Sequence, residues 1–165
     1  MITRLAKIVI AASLAVFAGL VTYTNIVDYG SNYEFVKHVL SMDTTFKGEH
    51  VMGRAITDPA LWTAAYWLII GTEACVALLF AWGAWSMWRA RNGTGAHFEA
   101  AKRPFVGCAI LAFLLWFFGF LVIGGEWFLM WQSPQWNGQQ AAFRIAIIVL
   151  AALIYINQPE RELEP

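Results

Sequence analysis

Glu73 is the only charged residue between Leu61 and Trp85, a stretch otherwise made of apolar, small or hydroxyl side chains. A carboxyl group surrounded by hydrocarbon is expensive and has to face protein or a cavity, which makes it a candidate for proton relay, ion binding or contact with a small ligand such as a quinone. The competing reading is structural, a glutamic acid that ties helices together. Trp116, near the middle of another apolar run, is the expected partner, because its indole N–H can donate to Glu73 if the two segments are antiparallel and adjacent.

A second constellation lies in "GGEWFLMWQSPQWNGQ", residues 124 to 139, and just beyond it. Glu126 and Arg144 flank the reversal between two apolar runs and are expected to pair across it. Such a pair either locks the two segments together or leaves the Arg144 fork to hold a phosphate headgroup or an anionic substrate. With Trp127, Trp131, Gln132, Asn137 and Gln139 nearby, the stretch reads as an aromatic belt at a membrane surface or as a polar aromatic pocket.

Other chemistries find no support. His38, His50 and His97 all fall outside the apolar runs, so no opposed pair is available to ligate haem within a bundle. Carboxylates are too scattered for a di-metal centre, and neither a Gly-rich phosphate loop nor a nucleophile elbow occurs. No metal or resident cofactor is expected, although a bound lipid or quinone stays open, and an autonomous enzyme is not. Cys75 and Cys108 lie inside apolar runs and suggest neither a disulfide nor a redox motif.

The elements that must position these residues follow from composition. Of 165 residues, 59% are hydrophobic, 16% aromatic and only 13% charged, far from the soluble norm of about a quarter charged. Eleven basic and eleven acidic side chains cancel, which removes the basic field that nucleic-acid binding requires. Four runs approach the roughly 20 apolar residues that cross a bilayer as a helix: Ile8 to Val27, Leu61 to Trp85, Phe105 to Gly125 and Ala141 to Ile156. The expected fold is therefore an all-α membrane protein, a four-transmembrane-helix bundle forming one domain. An outer segment covers residues 28–60, an inner loop 89–104 and a cytoplasmic tail 157–165. Residues 1–27 read as an anchor, because their apolar stretch is long for a signal peptide and no A-x-A site follows.

Basic residues in short loops set the orientation. Arg4, Lys7, Arg89, Arg91, Lys102, Arg103 and Arg161 fall on one side, and Lys37, Lys47, Arg54 and Arg144 on the other. Both termini are thus expected in the cytoplasm. The opposite segment is net acidic through Asp28, Glu34, Asp43, Glu49 and Asp58. Within it, Ser31-x-x-Glu34 resembles a capping box that opens a short amphipathic helix from Asn32 to Leu40, and Asp58-Pro59 is a helix start. Small residues at Ala11, Ala15 and Gly19, and at Ala77 and Ala81, suggest close helix packing.

Two long stretches, "NIVDYGSNYEFVKHVLSMDTTF" at 25 to 46 and "GGEWFLMWQSPQWNGQQAAFR" at 124 to 144, resemble a bacterial family of predicted small integral membrane proteins, domain of unknown function 2165. The resemblance covers nearly the whole chain except its polar tail. It implies a four-span topology and assigns no role to any residue.

The leading functional expectation is an accessory or scaffolding subunit that meets membrane lipids and other membrane protein subunits, since the chain is small and its outer motif is rich in interface aromatics. The alternative is a small transporter or ligand-binding membrane protein working through Glu73. A quinone-linked redox helper is a third.

Overall fold

The computed structural model describes residues 1–48 and 50–160; Glu49 and Arg161, both used in the charge reading, lie outside the described residues. No strand occurs among them. Four helices are long and apolar enough to cross a membrane: Ile2–Val27, Pro59–Ala90, Gly95–Trp127 and Gln139–Ile156. The chain is a multi-pass, all-helical membrane protein, as the apolar runs require.

The first span is α1 (Ile2–Val27), and after a single residue, Asp28, the chain re-enters helix as α2 (Tyr29–Ser41). The expected capping box does not form: Asp28 occupies the cap position, and the Ser31 hydroxyl donates to its carboxylate at 2.9 Å. Helix α2 ends at Met42, whose backbone is left-handed (φ 53°) and whose side chain is fully buried. The second span, α3 (Pro59–Ala90), starts as its sequence indicates, with proline in the first turn and the Asp58 carboxylate accepting from the Ala60 N–H at 2.8 Å.

The third span has three parts: α4 (Gly95–Ala101), α5 (Arg103–Phe113) and a π-helical stretch, Leu114–Trp127. The Phe128 amide still bonds five residues back, to the Ile123 carbonyl at 3.0 Å. Apolar composition alone does not foresee this wider turn. Its effect is visible in Leu115, Phe120, Gly124 and Phe128, which recur every four or five residues and line one wall of a cavity. π-helical stretches are rare and concentrate at functional sites. The last span, α6, is Gln139–Ile156.

Buried residues on α1 include Arg4, Lys7, Ala11, Leu14, Ala18 and Thr22, with Ile8 beside Lys7; on α3 they include Tyr66, Ile70, Glu73, Val76, Phe80, Gly83 and Met87. Both sets step by three or four, the period of a helix face turned to a partner. The two helices pack together along their length, α3 packs on α5, and the π-helical stretch packs on α6. Contact between α3 and the π-helical stretch is sparse. The bundle is therefore closed at the end that carries both termini and splayed at the end capped by α2.

Of the expected small-residue stripes, Ala11 is fully buried and Ala15 and Ala77 pack against the core, but a close backbone approach also occurs outside them. Gly19 has open space where a side chain would stand, Ala81 is exposed, and the buried small residues of α1 are Ala11 and Ala18. The tight crossing is Gly83 against Phe105: a Cβ at Gly83 would lie 2.9 Å from the Phe105 backbone nitrogen.

Candidate functional site

The period of buried residues on α3 places Glu73 on the face that meets α1, and its side chain is 2% exposed. The hydrogen-bond donor that reaches it is Asn25, in the last turn of α1: its side-chain amide donates to Glu73 Oε2 at 2.6 Å. Tyr66, two turns earlier on α3, donates its hydroxyl to the Asn25 carbonyl at 2.7 Å and fixes that turn against α3. A cavity of about 290 Å³ opens beside the carboxyl, lined by Asn25, Asn32, Tyr66, Glu73, Trp116 and Phe120 among others.

Trp116 is buried and lines the same cavity, so Glu73 and Trp116 are brought together as expected, but the indole makes no hydrogen bond to the carboxyl. The reason is the splay: α1 lies against α3 at this level, while the third span stands across the cavity. The Trp116 ring instead packs near Phe17, with centroids 6.3 Å apart. No lysine or arginine lines the cavity among the described residues. Its walls combine one carboxyl, two amides and four aromatic rings, a set suited to holding a flat, uncharged head by hydrogen bonds and stacking.

The second expected constellation resolves differently. Glu126 and Arg144 are both exposed, and among the described residues they form no ion pair. Helix α6 begins only at Gln139, so Arg144 lies more than a turn inside the span, while Glu126 lies at the far end of the π-helical stretch.

Trp127, Trp131, Gln132 and Asn137 each make a separate fastening contact. The Arg54 guanidinium lies 4.7 Å above the Trp127 ring and donates to the Trp127 carbonyl at 3.3 Å. Phe46 meets Trp131 edge-on at 6.1 Å, and its backbone N–H donates to Gln132 Oε1 at 2.9 Å. Asn137 Oδ1 accepts from the Gln139 N–H at 3.1 Å, at the start of α6. Trp136 stacks on His38 of α2 at 4.7 Å. This stretch therefore ties α2 and the following loop to the third span, and so roofs the splayed end of the bundle.

A cluster the sequence does not reveal sits at the opposite end. Arg4, Lys7 and Lys102 are each 1% exposed, and all three approach the Glu160 carboxylate. Lys7 hydrogen-bonds it, Arg4 lies 3.5 Å away and Lys102 3.6 Å away. Lys7 and Lys102 also both donate to the Gln158 carbonyl at 2.7 Å, and Arg4 donates to the carbonyls of Arg91 and Gly93 at 3.0 and 2.7 Å. Burial pushes the Glu160 carboxyl up, but the bond and charge of Lys7, with the charges of Lys102 and Arg4, outweigh it and hold the group below its ordinary value. In the sequence these cations register only as orientation markers, and nothing local announces that Gln158 and Glu160 sit among them.

Neither a curated protein nor a solved structure matches the chain. One family model does match, over residues 3–159, which covers both the Glu73 cavity and most of the cationic cluster. The chain belongs to the family described as predicted small integral membrane protein (DUF2165).

Proposed function

We propose that this protein binds, within the bilayer, a neutral amphiphile whose hydrogen-bonding head reaches Glu73. The observation that carries this reading is the buried Glu73 carboxyl facing an uncharged, aromatic-walled cavity of about 290 Å³. A carboxyl inside a span is costly and is retained where it meets a partner or lines a cavity. Asn25 engages Oε2, and the cavity lies open to a ligand beside it. Without a cationic wall the site disfavours phosphate and carboxylate heads, which would meet Glu73 with no compensating charge. Binding, rather than autonomous catalysis, is the role this set of side chains serves.

The scaffolding-subunit reading rests on the small size of the chain, its few ionisable residues and its aromatic outer motif, to which the structure adds an apolar exterior that includes Leu68, Leu78 and Ile154. Lipid covers such a surface as well as a partner protein does, so the exterior does not favour a partner. We place the protein in a bacterial inner membrane with both termini cytoplasmic. The support is the concentration of Arg4, Lys7, Arg89, Arg91, Lys102 and Arg103 toward the termini end, against Lys37, Lys47, Arg54 and Arg144 elsewhere.

The test is mass spectrometry of small molecules extracted from protein purified in mild detergent. Wild type is expected to carry a near-equimolar uncharged amphiphile that Glu73→Gln loses while remaining monodisperse. Equal content in both proteins, or a stoichiometric partner polypeptide alongside an empty cavity, contradicts the reading.

A further inference from the structure

Next to the Glu73 cavity lies a second one, of about 330 Å³, walled by α2, α3 and the π-helical stretch. Its lining is hydrocarbon apart from the Met130 sulfur and the Thr72 hydroxyl, and that hydroxyl already donates to the Leu68 carbonyl at 2.7 Å. Water needs two to four polar partners to occupy such a space, and apolar cavities of about 150 Å³ stay dry and take up apolar molecules instead. A void here would also deprive its walls of dispersion contacts.

Two features connect this space to the bilayer and to the carboxyl. On one side its rim includes Leu68, 72% exposed, and Ile123, 37% exposed, so it opens sideways into lipid where α3 leaves the third span. On the other it shares Phe35, Val36, Ile69 and Phe120 with the Glu73 cavity. Phe35 and Phe120 stack with centroids 6.4 Å apart and form the partition. Both rings end side chains that turn about single bonds, so opening the partition asks for side-chain rotation at Phe35 and Phe120 and not for a helix shift.

We infer that the two cavities are the halves of one lateral site for a ring-headed, single-chain amphiphile of the alkyl- or prenyl-quinone class. The head sits against Glu73, and the chain lies between α3 and the π-helical stretch. This rests on the proposed binding role of Glu73 and adds where the chain goes and how the molecule arrives from the membrane. Gly119 provides the means to test it, because it lines the apolar half and a Cβ there meets nothing closer than the Leu114 carbonyl at 3.9 Å.

The experiment uses the full chain in lipid nanodiscs, with empty discs as reference, and two probes: a decyl-substituted benzoquinone and the same ring without its chain. Retained quinone per protein is measured after gel filtration for the decyl probe, and quenching of tryptophan fluorescence for the bare ring. Gly119→Phe is expected to weaken decyl-probe binding about tenfold while leaving the bare ring unchanged. Leu68→Trp, at the lipid-facing rim and away from helix crossings, is expected to do the same and guards against misfolding of the first variant. Glu73→Gln is expected to abolish binding of both probes. Unchanged decyl binding in both Gly119→Phe and Leu68→Trp overturns the chain site, and means that ordinary lipid chains fill the apolar half. Unchanged binding in Glu73→Gln overturns the underlying reading. Failure of wild type to bind either probe overturns both.

Discussion

Asn25 and Glu73 are joined by a 2.6 Å hydrogen bond that spans 48 positions of sequence, from the last turn of α1 to the middle of α3. It serves two purposes. It satisfies a carboxyl oxygen that would otherwise stand in an apolar interior, and it fixes the depth at which α1 and α3 meet. Removing one partner of a buried hydrogen bond leaves the other unsatisfied, a loss of about 1–3 kcal/mol.

Asn25→Leu is therefore expected to destabilise the protein by about 1–3 kcal/mol, measured by thermal unfolding in a fixed detergent. In a Glu73→Leu background the same change is expected to cost clearly less, because the group it would leave orphaned is gone. Equal costs in the two backgrounds would mean that the bond contributes nothing to stability.

At the termini end, Gly83→Ala brings a methyl group within 2.9 Å of the Phe105 backbone. Backbone cannot rotate aside as a side chain does, so the helices must separate. The expected loss is about 1–3 kcal/mol, whereas Gly19→Ala, in open space, is expected to be neutral or slightly stabilising.

Glu160 carries the pH dependence. Its carboxyl is held below the ordinary value in the folded chain, so the stabilisation it brings is complete above the unfolded value near 4.5 and is lost as pH falls through the lowered folded value. Acidification through that lowered value is expected to release Glu160 from Arg4, Lys7 and Lys102. Glu160→Gln is expected to flatten that part of the stability profile and to cost up to about 3 kcal/mol at neutral pH. Monitoring by protease accessibility of the tail across pH 3 to 7 reads this directly, and an identical profile for the variant would remove Glu160 from the account.

Trp136→Ala takes away the ring stacked on His38 and packed against Phe35. Each aromatic contact is worth about 0.5–1.5 kcal/mol, so a combined loss of about 2 kcal/mol is expected. Faster proteolysis in residues 42–58 should accompany it, since that loop is held down by the same stretch. Unchanged cleavage would show that the roof does not depend on Trp136.

The sequence makes the four spans legible because bilayer thickness and backbone hydrogen bonding leave almost no other use for runs of twenty apolar residues. Glu73 is legible for the same reason, since charge inside such a run is rare. Its partner is not. Trp116 has the right depth and donor, but depth is a property of each run, whereas contact depends on which spans pack closely. Asn25 wins because α1 lies against α3. The Glu126–Arg144 pair fails on the same distinction, as two residues near one membrane boundary need not share a face. Arg4, Lys7 and Lys102 are visible only as charges, since their burial depends on residues 157–160 packing among them.

The most direct test is a crystal structure of the protein grown from a lipid phase with its native bound molecules retained. Continuous density is expected from the gap between Leu68 and Ile123, past parted rings of Phe35 and Phe120, to a head group hydrogen-bonded to Glu73. Trp116 packed directly onto Glu73 in a closed bundle with no space between them would contradict it.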